Sequence, residues 1–282
     1  MSHPGPESTL TTYTASDGEN LAVQDWHLSY GVRPRALVLL VHGLGEHAGR
    51  YDGLARLLSH WGFLVRGYDH YGHGQSGGTR GALPQPHRLL DDLADLVEST
   101  RSRSPGLPLV LLGHSLGGLV AAGLVARGIA PVDGLVLSSP ALAPRLNPLQ
   151  KLLLAVVPRV APDLTVGNGL DPRYLSHDPE VVQAYRDDPL VHDRISGRLA
   201  RFIADEGALV RSCAPRWSVP TLLLFAGDDH MVDPKGSKVF AKAAPRNMVG
   251  AHCFAGAYHE VFNEAGAQPV FSHLQQWLDA RF

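Results

Sequence analysis

The segment Leu109-Val110-Leu111-Leu112-Gly113-His114-Ser115-Leu116-Gly117-Gly118 constrains this chain more than any other. Leu109 to Leu112 form an apolar run that reads as a strand leading into a sharp turn. Leu116, Leu119, Val120 and Leu124 then recur at helical spacing. Between strand and helix, Ser115 stands in the pattern G-x-S-x-G. A Gly-rich strand-to-helix turn with an idle serine would look similar over these five residues alone. In this context the pattern reads as a sharp elbow that lifts a serine hydroxyl clear of the backbone, with glycines that let strand and helix approach closely. A serine hydroxyl is a poor nucleophile at its own pKa and needs such exposure, a nearby base and an oxyanion site.

The rest of the chain alternates strand-like and helix-like runs, the pattern of a mostly parallel sheet covered on both faces. Thr9–Thr14 and Leu21–His27, separated by Ser16-Asp17-Gly18, read as an opening antiparallel hairpin. Ala36–Val41, Phe63–Tyr68, Gly134–Leu137, Thr221–Phe225 and His252–Phe254 read as further strands. Tyr51–Trp61, Leu89–Thr100, Lys235–Ala243 and Val270–Phe282 read as helices. From Pro140 to about Ser218 no strand is expected, only helical segments broken by prolines. The expected architecture is one α/β domain on a mostly parallel sheet, core 9–140 and 219–282, with 141–218 inserted as a helical cap.

Composition narrows the function classes. The 282 residues are 44% apolar, enough for one large α/β domain with an insertion. The formal net charge is −2 with no basic run, so nucleic-acid binding is not expected. Cys213 and Cys253 form neither a chelating pair nor a disulfide scaffold, which is compatible with a reduced, cytoplasmic setting. Met1 to Ser8 lacks the apolar core of a signal peptide, and no apolar stretch approaches the roughly 20 residues of a membrane span. The histidines are scattered without an H-x-x-x-H or H-E-x-x-H pair, so neither a metal nor an organic cofactor is expected.

In a serine hydrolase of this architecture the acid and base follow the nucleophile in the chain, on loops after later strands. After Thr221–Phe225 comes Ala226-Gly-Asp228-Asp229-His-Met-Val-Asp233-Pro234, with three carboxylates. Asp233 precedes a proline and a helical run and reads as a cap. Asp228 and Asp229 both remain open as the acid, with Asp229 favoured. His259, in Gly256-Ala-Tyr-His259-Glu260, is the base candidate by order and position. The oxyanion site would take one backbone N–H from Leu116 and the other from Leu44, in His42-Gly-Leu44-Gly-Glu-His47. Asp69-His-Tyr-Gly-His-Gly-Gln-Ser76-Gly-Gly78 lacks the residues of a phosphate loop and reads as a structural turn beside the oxyanion strand.

With these residues in place, the chain resembles the monoacylglycerol lipases of the serine α/β-hydrolase superfamily from about Ala22 onward. The resemblance is carried by His42-Gly-Leu-Gly-Glu-His47 with Arg50-Tyr51, Asp69-His-Tyr-Gly-His-Gly-Gln-Ser76, Gly113-His-Ser-Leu-Gly-Gly118, Gly227-Asp-Asp229, Gly256-Ala-Tyr-His259, and in the cap Ser176–Val182 and Asp187–Val191. It implies a catalytic triad of Ser115, Asp229 and His259, oxyanion donors at Leu44 and Leu116, and hydrolysis of monoacylglycerols to fatty acid and glycerol through an acyl-serine. The chain departs from mammalian members at Val232, where they carry a cysteine, so their thiol-dependent inhibition is not implied. Lysophospholipases and broad carboxylesterases share the same motifs. A non-catalytic ligand receptor on a hydrolase fold is the alternative outside enzymes, and the ordered triad argues against it.

In the cap, Asn147-Pro148-Leu-Gln-Lys-Leu-Leu-Leu-Ala-Val-Val157-Pro158 reads as a helix capped at Asn147 and ended by Pro158. Leu149, Leu152, Leu153, Val156 and Val157 form a broad stripe, with Leu154 on the other side beside Gln150 and Lys151. A helix simply buried in the cap core would show the same residues, and that alternative stays open. The extra breadth points to a lid over the substrate that touches a lipid surface, which would make the protein a peripheral membrane visitor.

Overall fold

The computed structural model describes residues 8–28, 31–145 and 148–282, the side chains of 148–153 excepted. In chain order the strands are β1 (Thr9–Thr14), β2 (Asn20–Trp26), β3 (Ala36–Val41), β4 (Phe63–Tyr68), β5 (Leu109–His114), β6 (Gly134–Ser138), β7 (Thr165–Gly167), β8 (Arg194–Ser196), β9 (Thr221–Ala226) and β10 (Val249–Phe254). The helices are α1 (Asp52–His60), α2 (Arg88–Arg103), α3 (Ser115–Arg127), α4 (Pro148–Val160), α5 (Pro179–Asp187), α6 (Gly197–Cys213), α7 (Lys235–Ala243) and α8 (Gln268–Asp279). Eight strands form one sheet in the order β1-β2-β4-β3-β5-β6-β9-β10. The first two pairings, β1 with β2 and β2 with β4, are antiparallel, and every later one is parallel.

The sheet's period of two divides the core. Leu37, Leu39, Val41, Leu109, Leu111, Leu135, Leu137, Leu223 and Phe225 face one side and pack with α2, α3, α6 and α7. Their alternates Val38, Leu40, Val110, Leu112, Val136, Leu222 and Leu224 face the other and pack with α1 and α8. Helix α3 is buried from Leu116 to Leu124, which explains its continuous run of apolar and small residues. It ends at Gly128, in the left-handed conformation at φ 62°, a common helix stop.

Between β6 and β9 the chain leaves the sheet and builds the cap from α4, α5 and α6. The expectation that this stretch holds no strand is corrected. Thr165–Gly167 and Arg194–Ser196 pair as a two-stranded antiparallel ribbon. Three residues per strand are too few to show an alternating pattern, so the sequence carries no strand signal there. Pro158 also does not end α4, which runs on to Val160 with Ala161 N–H still bonded to the Val157 carbonyl at 2.9 Å. A proline this close to the helix end disturbs only the last turn. Asn147, the expected cap of α4, lies outside the described residues, as do the side chains of Leu149, Leu152 and Leu153.

The cap is seated on the core by α6. Glu206 is buried and takes a two-pronged bond from Arg127 of α3, at 2.9 and 2.7 Å. Gly123 leaves the space that the Glu206 carboxylate fills. Loop contacts complete the seat: His192 N–H donates to the Gly45 carbonyl at 2.9 Å and Ser196 N–H to the Gly81 carbonyl at 2.8 Å.

The glycines of the elbow have a steric reason. A Cβ on Gly117 would overlap the Val41 carbonyl, and one on Gly113 would come within 2.5 Å of the Gly117 carbonyl oxygen. Gly117→Ala should therefore destabilise the protein by about 2 kcal/mol or more, since neither obstacle is a movable side chain. Gly250, on β10, has open space around it. Gly250→Ala should be neutral or stabilising by up to about 1 kcal/mol. Urea denaturation of both variants checks this; equal midpoints would show that the elbow tolerates the methyl.

Candidate active site

Three loops at the carboxyl ends of the strands converge on the start of α3. Ser115 sits at the junction of β5 and α3 with φ 51°, a left-handed conformation rare for a residue with a side chain. The Ala141 N–H holds the Ser115 carbonyl at 2.9 Å. The side chain is partly exposed while its neighbours His114 and Leu116 are buried. A turn that isolates one hydroxyl at the head of a buried helix is what the sequence pattern anticipates.

His259 lies in the loop after β10, and its ring is 4.7 Å from that of His114. Its Nδ1 meets Asp229 Oδ2 at 2.7 Å, both side chains almost fully buried. The other Asp229 oxygen accepts the N–H groups of Met231 and Val232 at 2.8 and 3.0 Å, which fixes the carboxylate's orientation. Of the two aspartates left open by the sequence, Asp229 is the one that pairs with His259. Asp228 is 57% exposed and pairs with His230 at 3.1 Å. Asp233 accepts the Lys235 N–H at 2.9 Å at the start of α7, as its cap reading expects.

Burial disfavours charge on His259, but the Asp229 carboxylate, with Glu260 and Glu46 behind it, outweighs burial and raises its pKa above the ordinary imidazole value. Burial likewise pushes Asp229 up, and the His259 ring with the two loop N–H groups brings it below the ordinary carboxylate value. With Asp229 ionised, the hydrogen on His259 belongs on Nδ1, which leaves Nε2 as the free basic nitrogen.

The loop after β3 forms the opposite wall. A Cβ on Gly43 would lie 3.3 Å from the Ser115 Cβ, so this backbone passes directly beside the elbow. Gly43 is held from two sides: its N–H donates to Glu46 Oε1 at 2.5 Å, and its carbonyl accepts from His42 Nδ1 at 2.7 Å. His42 Nε2 in turn accepts the His70 N–H at 2.9 Å. Burial first, and the nearby His73 second, hold His42 far below its ordinary pKa, so the ring stays neutral as this pattern demands. Leu44 follows Gly43 in this loop, and Leu116 follows Ser115 in α3. The Leu116 N–H lies in the first turn of α3, where backbone donors have no partner within the helix.

The Asp69–Gly78 loop is the brace that its reading anticipates. Asp69 accepts the N–H groups of Ala48 and Gln75 at 2.8 and 2.7 Å, and Ser76 Oγ accepts the Ala22 N–H at 2.9 Å. A buried ion cluster that no local sequence pattern announces, Glu46–Arg50–Glu260, lies beside the site, with Tyr185 and Asp188 as its cap neighbours. Glu46 and Arg50 stand in a quoted motif, but Arg50 and Glu260 are 210 positions apart and no local pattern links them. A cavity of about 20 Å³ lies there, lined by Glu46, Arg50, Tyr51, His114 and Glu260 among others. A larger one, about 150 Å³, opens around Asp25, Arg66 and Arg103 at the other end of the sheet, away from every group just described. Among the described residues no group of three or more His, Cys, Asp or Glu side chains is placed to hold a metal ion.

The α4 side chains divide differently from the expected stripe. Val157 packs against Gly197 of α6, and Leu154 is half-buried. Val156 is 47% and Val160 73% exposed. The Val157 contact with α6 sets the helix rotation and turns Val156 outward. No helix of the described residues is long and apolar enough to cross a membrane.

The sequence profile of the serine aminopeptidase S33 family matches residues 32–266. A monoacylglycerol lipase of Mycolicibacterium smegmatis is 34% identical over 87% of this chain and 88% of its own. A human monoglyceride lipase is 33% identical over 98% of this chain and 92% of its own. The crystal structure of a Paleococcus ferrophilus monoacylglycerol lipase superposes with a TM-score of 0.84 at 35% identity, covering 93% of this chain and 99% of that one. A left-handed serine elbow, a buried histidine–aspartate pair whose imidazole lies beside the adjoining His114, and a profile spanning both place the chain in the serine aminopeptidase S33 family of α/β-hydrolases, in its monoacylglycerol lipase group.

Proposed function

We propose that this protein hydrolyses carboxylic esters bearing one long acyl chain, monoacylglycerols first among them, to a fatty acid and the free alcohol. The observation that carries the reading is the buried 2.7 Å pair of His259 and Asp229 beside the Ser115 elbow. Ser115 Oγ attacks the ester carbonyl while His259 Nε2 takes its proton. The negative oxygen that forms is met by the N–H groups of Leu44 and Leu116. His259 passes the proton to the leaving alcohol, and Asp229 steadies the imidazolium without itself becoming protonated. Water, deprotonated by His259, then releases the acyl group from Ser115 as the acid. The curated relatives named above are monoacylglycerol and monoglyceride lipases, which supports glycerol as the alcohol.

We place the lipid-facing surface at the end of α4 and the segment after it. Val156, Val160, Leu164, Val166 and Leu170 stay exposed within fifteen residues of one another. Scattered exposed apolar residues are common, but five on one cap segment suit shallow contact with a lipid surface. The cap, residues 141–218 in this reading, would draw ester from a membrane and lower it toward Ser115.

Ester turnover should fall by roughly 10³-fold or more in Ser115→Ala, and by roughly 10³–10⁴-fold in Asp229→Asn, which offers His259 the wrong hydrogen-bonding partner. Asp228→Asn should remain close to wild type. Steady-state kinetics on a short soluble ester check this, and a folded Ser115→Ala protein with substantial turnover would refute the nucleophile. Because His259 must be neutral to act, kcat/KM should rise with pH through an ionisation above 6.5, the ordinary imidazole value. A panel varying acyl length and headgroup separately tests the substrate. Preference for monoacylglycerol supports the proposal, whereas preference for a lysophospholipid or for short acyl esters replaces it.

For the lid, Val156→Ser with Val160→Ser should leave soluble-ester turnover and Tm nearly unchanged, since exposed changes usually stay within about ±0.5 kcal/mol. Activity on monoacylglycerol in vesicles should drop several-fold, because each valine withheld from lipid forfeits up to about 1.5 kcal/mol. Equal activity on both substrates would show that this face does not meet lipid.

A further inference from the structure

We propose that Arg50 and Glu260 are positioning residues for the hydrolytic reaction, a buried clamp that holds the His259 loop in register with the loop after β3. The proposal rests on the reading of His259 as the base. Arg50 belongs to the short helix Ala48–Tyr51, just after the wall that passes beside Ser115. Its two terminal nitrogens donate to the two Glu260 oxygens at 2.7 and 3.0 Å, a fork on a fork. Nη1 also reaches Glu46 Oε2. The other Glu46 oxygen accepts the Gly43 N–H and the Tyr51 hydroxyl, so the guanidinium is one residue removed from the oxyanion loop. Glu260 follows His259 directly, and its carboxylate is fixed further by Asn263 Nδ2 at 2.8 Å. The same guanidinium lies over the Tyr185 ring of α5 at 4.8 Å, so the cap closes on it too.

Stability alone does not call for this arrangement. Buried ion clusters are often replaceable by packed apolar side chains at no loss of stability. What the fork supplies is direction: it sets the distance between two loops that come from opposite ends of the chain, and near-attack geometry is sensitive to errors of about 1 Å. The charge count adds a second effect. Two carboxylates and one guanidinium leave one negative charge in excess near His259. The groups facing His259 are Asp229 from the loop after β9, Glu260 beside it, Glu46 and Arg50 from the β3 side, and His114 from β5. His114 is neutral, held down at about 4 by burial first and by His259 second. Burial and then Glu46 hold the Tyr51 hydroxyl protonated.

Charge and geometry are separable by two substitutions, assayed on a soluble ester across pH with Ser115→Ala and His259→Ala alongside. Glu260→Gln keeps shape but removes a carboxylate that favours the imidazolium. The acidic limb of kcat/KM should move to lower pH by about half a unit. Arg50→Lys keeps the charge and loses the fork. The limb should stay in place while kcat falls by about tenfold or more and KM changes little. If both variants, folded by circular dichroism, show wild-type kcat and an unmoved limb while His259→Ala is inactive, the clamp is only structural and the proposal fails. If His259→Ala retains turnover, the underlying assignment of the base fails instead. Should Glu260→Gln not fold, the kcat of Arg50→Lys decides the proposal alone.

Discussion

The closeness of α3 to the end of β3 underlies the site. Gly117 sits against the Val41 carbonyl with no room for a side chain, and Gly113 sits against Gly117. This contact brings the first turn of α3 beside the loop that leaves β3. It forces Ser115 into a left-handed conformation that a serine does not choose unaided. The cost is met by the surroundings: nine consecutive buried residues of α3, and two apolar layers that lock the strands on both sides. A helix so thoroughly buried cannot drift, and the hydroxyl at its head inherits that rigidity.

Rigidity there would be useless if the other two loops moved independently. They are tied by polar contacts that are themselves buried and satisfied. Asp229 is fixed by two loop N–H groups before it reaches His259, and Gly43 is held through Glu46 and His42. The cap joins the same arrangement. His259 and Glu260 donate their N–H groups to the Tyr174 and Leu175 carbonyls, and Asp188 meets His47 at 2.8 Å. The part of the protein that would admit substrate therefore shares bonds with the loops that would act on it.

Much of this was legible in the sequence because the signals are local. Continuous apolar runs such as Ala36–Val41 announce strands buried on both faces, and G-x-S-x-G between strand and helix announces the elbow. Chain order directed attention to the loops that hold Asp229 and His259. It could not separate Asp228 from Asp229, because neighbouring carboxylates differ only in which one the turn points inward. The ribbon β7–β8 leaves no mark in the sequence, because three-residue strands have no period. The Arg50–Glu260 pair escaped because its partners meet only after folding. The inner face of α4 departs from the expected stripe at Val156 and Leu154, because Val157 packs against Gly197 of α6, a contact that no local pattern in α4 encodes.

In the proposed mechanism the fold activates Ser115 as a nucleophile by setting it before the His259–Asp229 pair. Reaction with a fluorophosphonate, followed by peptide mapping, tests this most directly, because an unactivated serine does not react. A single adduct is expected on the peptide containing Ser115, formed at a rate that rises with pH as His259 loses its proton. An adduct on a different residue, or none in a folded protein that still hydrolyses esters, would contradict it.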